Sequence, residues 1–180
     1  MFWIYENTHT KINTMKVKLS ATLLTISLIL TVSGYSQNTK PSQEETQKWL
    51  NEKINGYSYD SEDAKYNYTI DFSKGIMTVR DKNTFTSPFR THDNTYTCNL
   101  ADIDFFTFKE KQYNIWLTFK MKEGKYETRI MDGEKFQSFG EINILLNKSI
   151  KNDNLMERIR KALNRIFELN GIEAKSNEAF

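Results

Sequence analysis

The chain has few of the residues that break or crosslink a fold. It contains two prolines, seven glycines and one cysteine among 180 residues. So little proline and glycine excludes a collagen-like or proline-rich low-complexity chain. A single cysteine excludes an intramolecular disulfide. We expect Cys98 to fill a buried strand position rather than to act as a nucleophile.

The sequence also lacks the usual motifs of catalysis and cofactor binding. No H-x-x-x-H, C-x-x-C, G-x-S-x-G, G-x-G-x-x-G or G-K-[ST] pattern occurs in it. His92 and Cys98 supply the residue types of a Cys/His pair, and Asp102 and Asp104 come nearest to an acidic calcium loop. Neither pattern is specific, and an ordinary strand or surface role is favoured for both. We therefore predict no catalytic residue, no metal site and no bound cofactor.

One long apolar run is present, close to the N-terminus. Leu19–Val32 follows Met15 and two lysines and precedes small polar residues, which is the layout of a secretory signal peptide. The run is shorter than the roughly 20 apolar residues of a transmembrane helix, so an anchor is the less favoured interpretation. The pattern predicts cleavage after Ser36, with Met15 as the true start. The chain then divides into a leader over residues 1–36 and one globular domain over residues 37–180.

The domain that follows the leader is electrically balanced. The leader holds three lysines and one glutamate, and subtracting them from 25 basic and 23 acidic residues leaves 22 of each. A neutral domain gives no electrostatic support for nucleic-acid binding. An aromatic content of 13% is enough to build a hydrophobic core and argues against disorder. We predict an exported, soluble domain with no nucleic-acid partner and no transmembrane anchor after cleavage.

Two amphipathic helices are predicted, one at each end of the domain. Ser42–Glu45 forms a capping box, and Gly56 suits the end of the first helix. The second helix is predicted from an N-cap at Asn154 to a stop at Gly171, with eight apolar side chains in one stripe. So wide a stripe requires the helix to dock on the sheet. Three of its positions should be nearly fully buried: Ile159, Leu163 and Ile166.

Between the helices the hydrophobic period is two, which predicts an antiparallel meander of about seven strands. The segment from Asp81 to Asn94 contains Pro88 and many polar residues, and it is predicted to be a loop or an irregular edge. In the fourth strand Phe105 and Phe106 must point to opposite faces. One ring must therefore lie outside the barrel interior, where it is either covered by Trp49 and Leu50 of the N-terminal helix, which is favoured, or exposed as a contact surface. The predicted strands lie at 66–72, 76–80, 96–100, 105–108, 113–121, 126–130 and 136–146.

A strand meander followed by one amphipathic helix resembles the pleckstrin-homology-like barrel. Tyr96–Ile103, Ile115–Phe119 and Arg158–Ile166 are also similar to a hydrophobic pattern of exported Bacteroidetes proteins. The resemblance covers Ser42–Gly171 and implies an α+β, mainly antiparallel fold with an N-terminal helix and a C-terminal capping helix. It implies no phosphoinositide binding, because Ser73–Gly75 is too short for the basic loop of true pleckstrin domains. The alternative fold is an open antiparallel sheet with both helices on one face.

These observations favour a binding or interaction module that is not an enzyme and that works in the periplasm or outside the cell. Its partner would be a protein or a component of the cell envelope. Two alternatives belong to other classes. A carrier of a small apolar ligand would need an unfilled barrel interior, whereas the many Phe, Ile and Leu residues suggest a filled one. A hydrolase, the less favoured alternative, would need a polar cluster inside a cleft.

Overall fold

The computed structural model describes residues 40–86, 88–138 and 140–173. The predicted leader, its cleavage site and the C-terminal tail lie outside these described residues. The described residues from Ser42 onward form one compact unit. Its main elements, in chain order, are α1 (Gln43–Gly56), β1 (Ala64–Ser73), β2 (Ile76–Thr86), β3 (Phe89–Asn99), β4 (Ile103–Glu110), β5 (Asn114–Met121), β6 (Glu127–Met131), β7 (Glu134–Ser138), β8 (Glu141–Asn147) and α2 (Leu155–Leu169).

The strands form two antiparallel sheets, which confirms the mainly antiparallel α+β class with a helix at each end of the domain. The first sheet has the order β1-β2-β3-β6-β7, and the second has the order β4-β5-β8. No closed barrel is found among the described residues. A single bridge between Ser58 and Leu146 joins the segment after α1 to β8. The predicted last strand over 136–146 is two strands, because β7 and β8 belong to different sheets.

Helix α1 begins with the predicted capping box. The Ser42 hydroxyl accepts a hydrogen bond from the Glu45 backbone, and the Glu45 carboxylate accepts one from the Ser42 backbone in return. The hydrogen bonds that the Glu45 carboxylate accepts from the Ser42 backbone and from the Ser42 hydroxyl lower the pKa of this exposed carboxyl. The helix ends at Gly56, as the sequence predicts.

Helix α1 also covers the edge of the first sheet through a row of side-chain amides. Gln43, Gln47 and Asn51 are four residues apart and therefore share one helical face. Asn51 exchanges two hydrogen bonds of 2.7 Å with the backbone of Ile70. Gln47 accepts a hydrogen bond from the Phe72 backbone, and Gln43 donates one to it. Backbone groups that an edge strand leaves unpaired are thus occupied by the helix.

Helix α2 packs on the core through its apolar stripe. Ile159, Leu163 and Ile166 are 0% exposed, which confirms the burial expected for them. The ring of Phe106 stacks on Phe167 of α2 at a centroid distance of 6.0 Å. Phe106 is therefore the ring that faces the core, and Phe105, whose ring centroid lies 5.6 Å from Lys120 Nζ, is the outward ring. Cover of Phe105 by Trp49 and Leu50 of α1 stays a prediction.

The two ends of α2 differ in how well they were predicted. Gly171 has a φ of 68°, the left-handed conformation in which glycine commonly terminates a helix. Asn154 is the N-cap residue, but its φ is 54° and its side chain makes no capping hydrogen bond. The chain enters α2 from a 3-10 turn over Lys148–Asn154, and this approach replaces the usual extended N-cap.

The largest departure from the sequence prediction is the segment from Asp81 to Asn94. It is not a loop: β2 continues to Thr86 and β3 begins at Phe89, so the two strands form one long hairpin. Their register is continuous, and Asp81 lies directly opposite Asn94. The loop prediction was wrong because it relied on the absence of apolar residues at every second position. The inward side chains of this segment are polar, so the two-residue period of the strands is not visible in the hydropathy.

Candidate functional site

The inner face of the first sheet changes character along its strands. At one end, which we call the apolar end, the inward side chains are buried and hydrophobic: Ile70, Phe72, Met77, Val79 and Cys98. At the other end, which we call the polar end, the same strands present polar groups. Side chains two residues apart share a face of a strand, so Asp81 and Asn83 continue the inward row of Met77 and Val79.

The polar end is centred on three side chains, Asp81, Asn83 and Asn94, which we call the Asp81 cluster. Asp81 on β2 faces Asn94 on β3, and the Asn94 Nδ2 atom donates a hydrogen bond of 3.2 Å to the Asp81 Oδ1 atom. Asn83 is the diagonal neighbour of Asn94, a separation of about 7–8 Å between such positions. Their exposed fractions are only 5%, 7% and 5%.

Two oxygen atoms of the cluster are buried without a hydrogen bond among the described residues. They are the side-chain carbonyl oxygens of Asn83 and Asn94. Leaving such an acceptor unpaired costs about 1–3 kcal/mol, so proteins rarely keep two of them side by side. The Tyr68 hydroxyl on β1, opposite Asp81, is unpaired as well. Trp116 Nε1 and Asn164 Oδ1 are also unpaired, but they lie on β5 and α2. The polar end is where two unpaired acceptors are neighbours on one face.

Asp81 places a carboxyl group at the centre of this cluster. Burial raises its pKa, and the negative charge of Asp93 acts in the same direction. Hydrogen bonds with Asn94 and Tyr96 and the neighbouring His92 act in the opposite direction. No lysine or arginine within the described part of the chain forms an ion pair with Asp81. The cluster therefore holds a buried carboxyl group without a cationic partner.

Three tyrosines, which we call the tyrosine wall, surround the cluster: Tyr66, Tyr68 and Tyr96. Tyr68 faces Asp81 and Tyr66 faces Asn83 across the β1–β2 ladder. The rings of Tyr66 and Tyr68 stack at a centroid distance of 6.1 Å and an angle of 10°. Burial raises the pKa of all three hydroxyls, so each remains protonated at neutral pH.

The sequence candidates for a Cys/His pair are not brought together. His92 and Cys98 are six residues apart on β3, which corresponds to about 20 Å along an extended strand. The His92 Nδ1 atom lies 3.2 Å from the Asp132 carboxylate, and its ring contacts Phe85. Cys98 is 4% exposed, and burial raises the pKa of its thiol to about 12. The prediction of a buried strand cysteine is confirmed.

The two acidic residues at the start of β4 are not brought together into one site either. Asp102 lies in a 3-10 turn and pairs with Lys125 at 3.4 Å, and Asp104 occupies a bulge where β4 meets β5. Across the described residues, no group of three or more His, Cys, Asp or Glu side chains is arranged to hold a metal ion.

A shallow cavity of about 370 Å³ lies beside the polar end. Its lining is mostly polar and includes Asn55, Asn67 and Asn147, and Tyr66 belongs both to this lining and to the tyrosine wall. None of the buried, unpaired polar atoms belongs to a residue that lines the cavity. The cavity is therefore the weaker of the two candidates, and it adjoins the stronger one.

No protein-family model, curated protein or solved structure matches the chain. The described helices include none with the length and apolar character needed to cross a bilayer. The site is thus defined by its geometry alone. Sequence analysis missed Asp81, Asn83 and Asn94, although one signal was available: Asp81 and Asn83 continue the two-residue spacing of Met77 and Val79.

Proposed function

We propose that this chain is an exported, non-catalytic binding module and that its ligand contacts the Asp81 cluster. The observation that carries the proposal is the pair of buried, unpaired acceptors on Asn83 and Asn94 beside the buried carboxyl group of Asp81. Apolar residues at these positions would stabilise the fold more, since unpaired polar groups in an interior are destabilising. A ligand that pairs these atoms would offset that cost on binding.

The alternative of an apolar-ligand carrier has less support. An apolar molecule at the polar end would leave the Asn83 and Asn94 oxygens unpaired. The alternative of a hydrolase has less support because His92 lies beside Asp132 rather than beside a nucleophile. The pleckstrin-homology-like barrel and the similarity to exported Bacteroidetes proteins stay predictions, supported here only by the sheets and the terminal helix.

The binding role is tested by a fragment screen that reads the cluster directly. The purified, ¹⁵N-labelled protein is titrated with small amines, polyols and carboxylates, and the side-chain amide signals of Asn83 and Asn94 are followed by NMR. The exposed amides of Asn99 and Asn152, which do not line the cavity, serve as references in the same spectra. We expect at least one fragment to shift the two cluster signals more than the references. A panel that leaves the cluster signals unmoved would contradict the proposal.

Export is tested separately by intact-mass measurement of the protein recovered outside the cytoplasm. The proposal predicts a chain that begins at Gln37 and lacks residues 1–36. Recovery of the uncleaved chain in the membrane fraction would contradict it.

A further inference from the structure

We infer that the ligand presents a primary ammonium group, as an alkylamine or a lysine side chain does, and that this group binds between Asp81, Asn83 and Asn94. The inference deepens the binding role proposed above and rests on it. It follows from the number and kind of hydrogen-bonding atoms in the cluster, from its charge and from its aromatic surroundings.

The two unpaired atoms of the Asp81 cluster are acceptors, and the unpaired Tyr68 hydroxyl beside them can donate or accept. The amide oxygens of Asn83 and Asn94 cannot donate a hydrogen bond, and the ionised carboxylate of Asp81 cannot donate one either. A matching ligand must therefore bring donors. A hydroxyl group brings one donor, whereas a primary ammonium brings three and has no acceptor. The two unpaired amide oxygens and the Asp81 carboxylate, which also accepts from Asn94, equal in number the three donors on one ammonium nitrogen.

The charge of the site favours a cation over a neutral donor. Asp81 is buried, and no described lysine or arginine pairs with it. The nearby guanidinium of Arg129 is already engaged, because its Nε and Nη2 atoms donate to one oxygen of Glu127 at 3.0 and 2.7 Å. Glu127 is itself fully buried, so this ion pair is a closed unit. A ligand cation would supply the charge that Asp81 lacks, and charge-assisted hydrogen bonds are the strongest kind.

The tyrosine wall suits the same ligand. Aromatic faces attract cations, and the effect is largest where water is excluded. The sheet already shows the pairing, since the Arg129 guanidinium lies 5.3 Å from the ring centroid of Tyr96. Tyr66 and Tyr68 stand opposite Asn83 and Asp81 and are at least half-buried, so their rings border the position of the ammonium.

Two other ligand classes fit the same atoms less well. An anion would be repelled by the buried Asp81 carboxylate and would leave the amide oxygens of Asn83 and Asn94 unpaired. A calcium ion takes about 6–8 oxygen ligands and usually several carboxylates, whereas this cluster offers one carboxylate and two amide oxygens. Titrations with a salt of the anion and with a calcium salt are included as controls, so binding of either class would be measured.

The first experiment compares three probes of similar size by isothermal titration calorimetry of the purified protein. They are n-butylammonium chloride, n-butanol, which lacks the charge, and tetramethylammonium chloride, which lacks the N–H donors. We expect saturable binding of n-butylammonium and at least about tenfold weaker binding of the other two. Equal binding of tetramethylammonium would overturn the donor argument, and equal binding of n-butanol would overturn the charge argument.

The second experiment places the ammonium at the cluster by matched substitutions. Asp81→Asn should weaken n-butylammonium binding about tenfold or more, whereas Asp93→Asn should change it less than about twofold. The two substitutions are chemically identical, but Asp93 lies on the exposed outer face of β3. Asn83→Leu, which keeps the size of the side chain, should weaken binding about threefold or more and does not depend on the Asp81 variant folding. Unchanged affinity in both cluster variants would overturn the inference.

Two further titrations distinguish a free amine from a lysine side chain. Putrescine represents the former, and Nα-acetyl-lysine amide represents the latter. Tighter binding of either one identifies the source, and both outcomes support the ammonium class. If a polyol or calcium chloride, but no amine, shifts the Asn83 and Asn94 amide signals, the inference fails while the binding role stands. If nothing shifts them, both fail.

Discussion

The two ends of one sheet face make opposite use of the same strands. At the apolar end, Phe72, Met77 and Cys98 are almost completely buried in a continuous hydrophobic cluster. At the polar end, Asp81, Asn83 and Asn94 are nearly as buried but are incompletely paired. Burial at the first end stabilises the fold, whereas burial at the second end opposes it. The contrast shows that the burial of a residue does not by itself indicate whether the residue stabilises the fold, because the pairing of its polar atoms matters as well.

The largest effect is expected from opening the apolar end. Phe72→Ala should lower the free energy of unfolding by about 3–5 kcal/mol, because it removes a side chain that is 2% exposed and leaves a cavity. Phe89→Ala is the control, since Phe89 is 78% exposed on the same sheet, and it should change stability by less than about 0.5 kcal/mol. Urea denaturation measures both. Equal costs would mean that the apolar end is not the stabilising region.

The cover of the apolar end by α1 should be the next largest contribution. Asn51→Ala removes two hydrogen bonds to the Ile70 backbone and should cost about 1–3 kcal/mol. Asn55→Ala, an exposed position one turn later in α1, makes the same change in helix propensity and should cost little. Urea denaturation again distinguishes them. If Asn55→Ala lowered stability as much as Asn51→Ala, the effect would come from the changed helix propensity of α1 and not from the lost hydrogen bonds to the sheet edge.

Substitution at the polar end should raise the stability of the fold, whereas the substitutions above lower it. Because burial raises the pKa of Asp81 in the folded state, the folded protein binds a proton more tightly there than the unfolded chain does. The contribution of Asp81 to stability therefore falls as pH rises above about 4. Asp81→Asn should accordingly raise stability at pH 7 by about 0.5–2 kcal/mol and lose this advantage towards pH 3.

This pH dependence is measured as the difference in unfolding free energy between wild type and Asp81→Asn from pH 3 to pH 7. Taking the difference removes the titration of groups that do not interact with Asp81, while the coupling of Asp93 and His92 to Asp81 remains part of the measured difference. Asp63→Asn, at an exposed position that does not act on the Asp81 pKa, serves as the control variant. A variant that is less stable than wild type at pH 7 would mean that the Asp81 carboxylate stabilises the fold.

The smallest effect is expected at Cys98, which lies opposite Met77 at the apolar end. Cys98→Ala should cost about 1 kcal/mol, as for a small buried side chain. With its thiol pKa raised to about 12 by burial, Cys98 should react slowly with a thiol probe at pH 7 in the folded protein. Rapid labelling without prior unfolding would show that this part of the face is accessible.

The same contrast explains what could be predicted from the sequence. Wherever the inward row is apolar, as at Ile115, Leu117 and Phe119 on β5, the alternation predicted the strand and the buried face. Where the inward side chains are polar, the hydropathy shows no alternation. For this reason the segment from Asp81 to Asn94 was predicted to be a loop. The separation of β7 from β8 was missed for a related reason, because sheet membership depends on pairing with distant strands.

The cluster itself was beyond a prediction from residue types. Asp81 and Asn94 are thirteen residues apart, and only the register of the β2–β3 hairpin places them opposite each other. That register includes strand positions that composition assigns to a turn, such as Asn83 and Thr84. The lack of partners for the Asn83 and Asn94 oxygens is a property of the packed structure and has no signature in the sequence.

The account is tested most directly by thermal unfolding of wild type and Asp81→Asn at pH 7, each with and without n-butylammonium. The account predicts that Asp81→Asn melts a few degrees above wild type in buffer alone. It also predicts that n-butylammonium raises the Tm of wild type, because a ligand that binds only the folded state stabilises it, while leaving the variant nearly unchanged. A variant that melts below wild type in buffer, or an equal rise in Tm for both proteins, would contradict it.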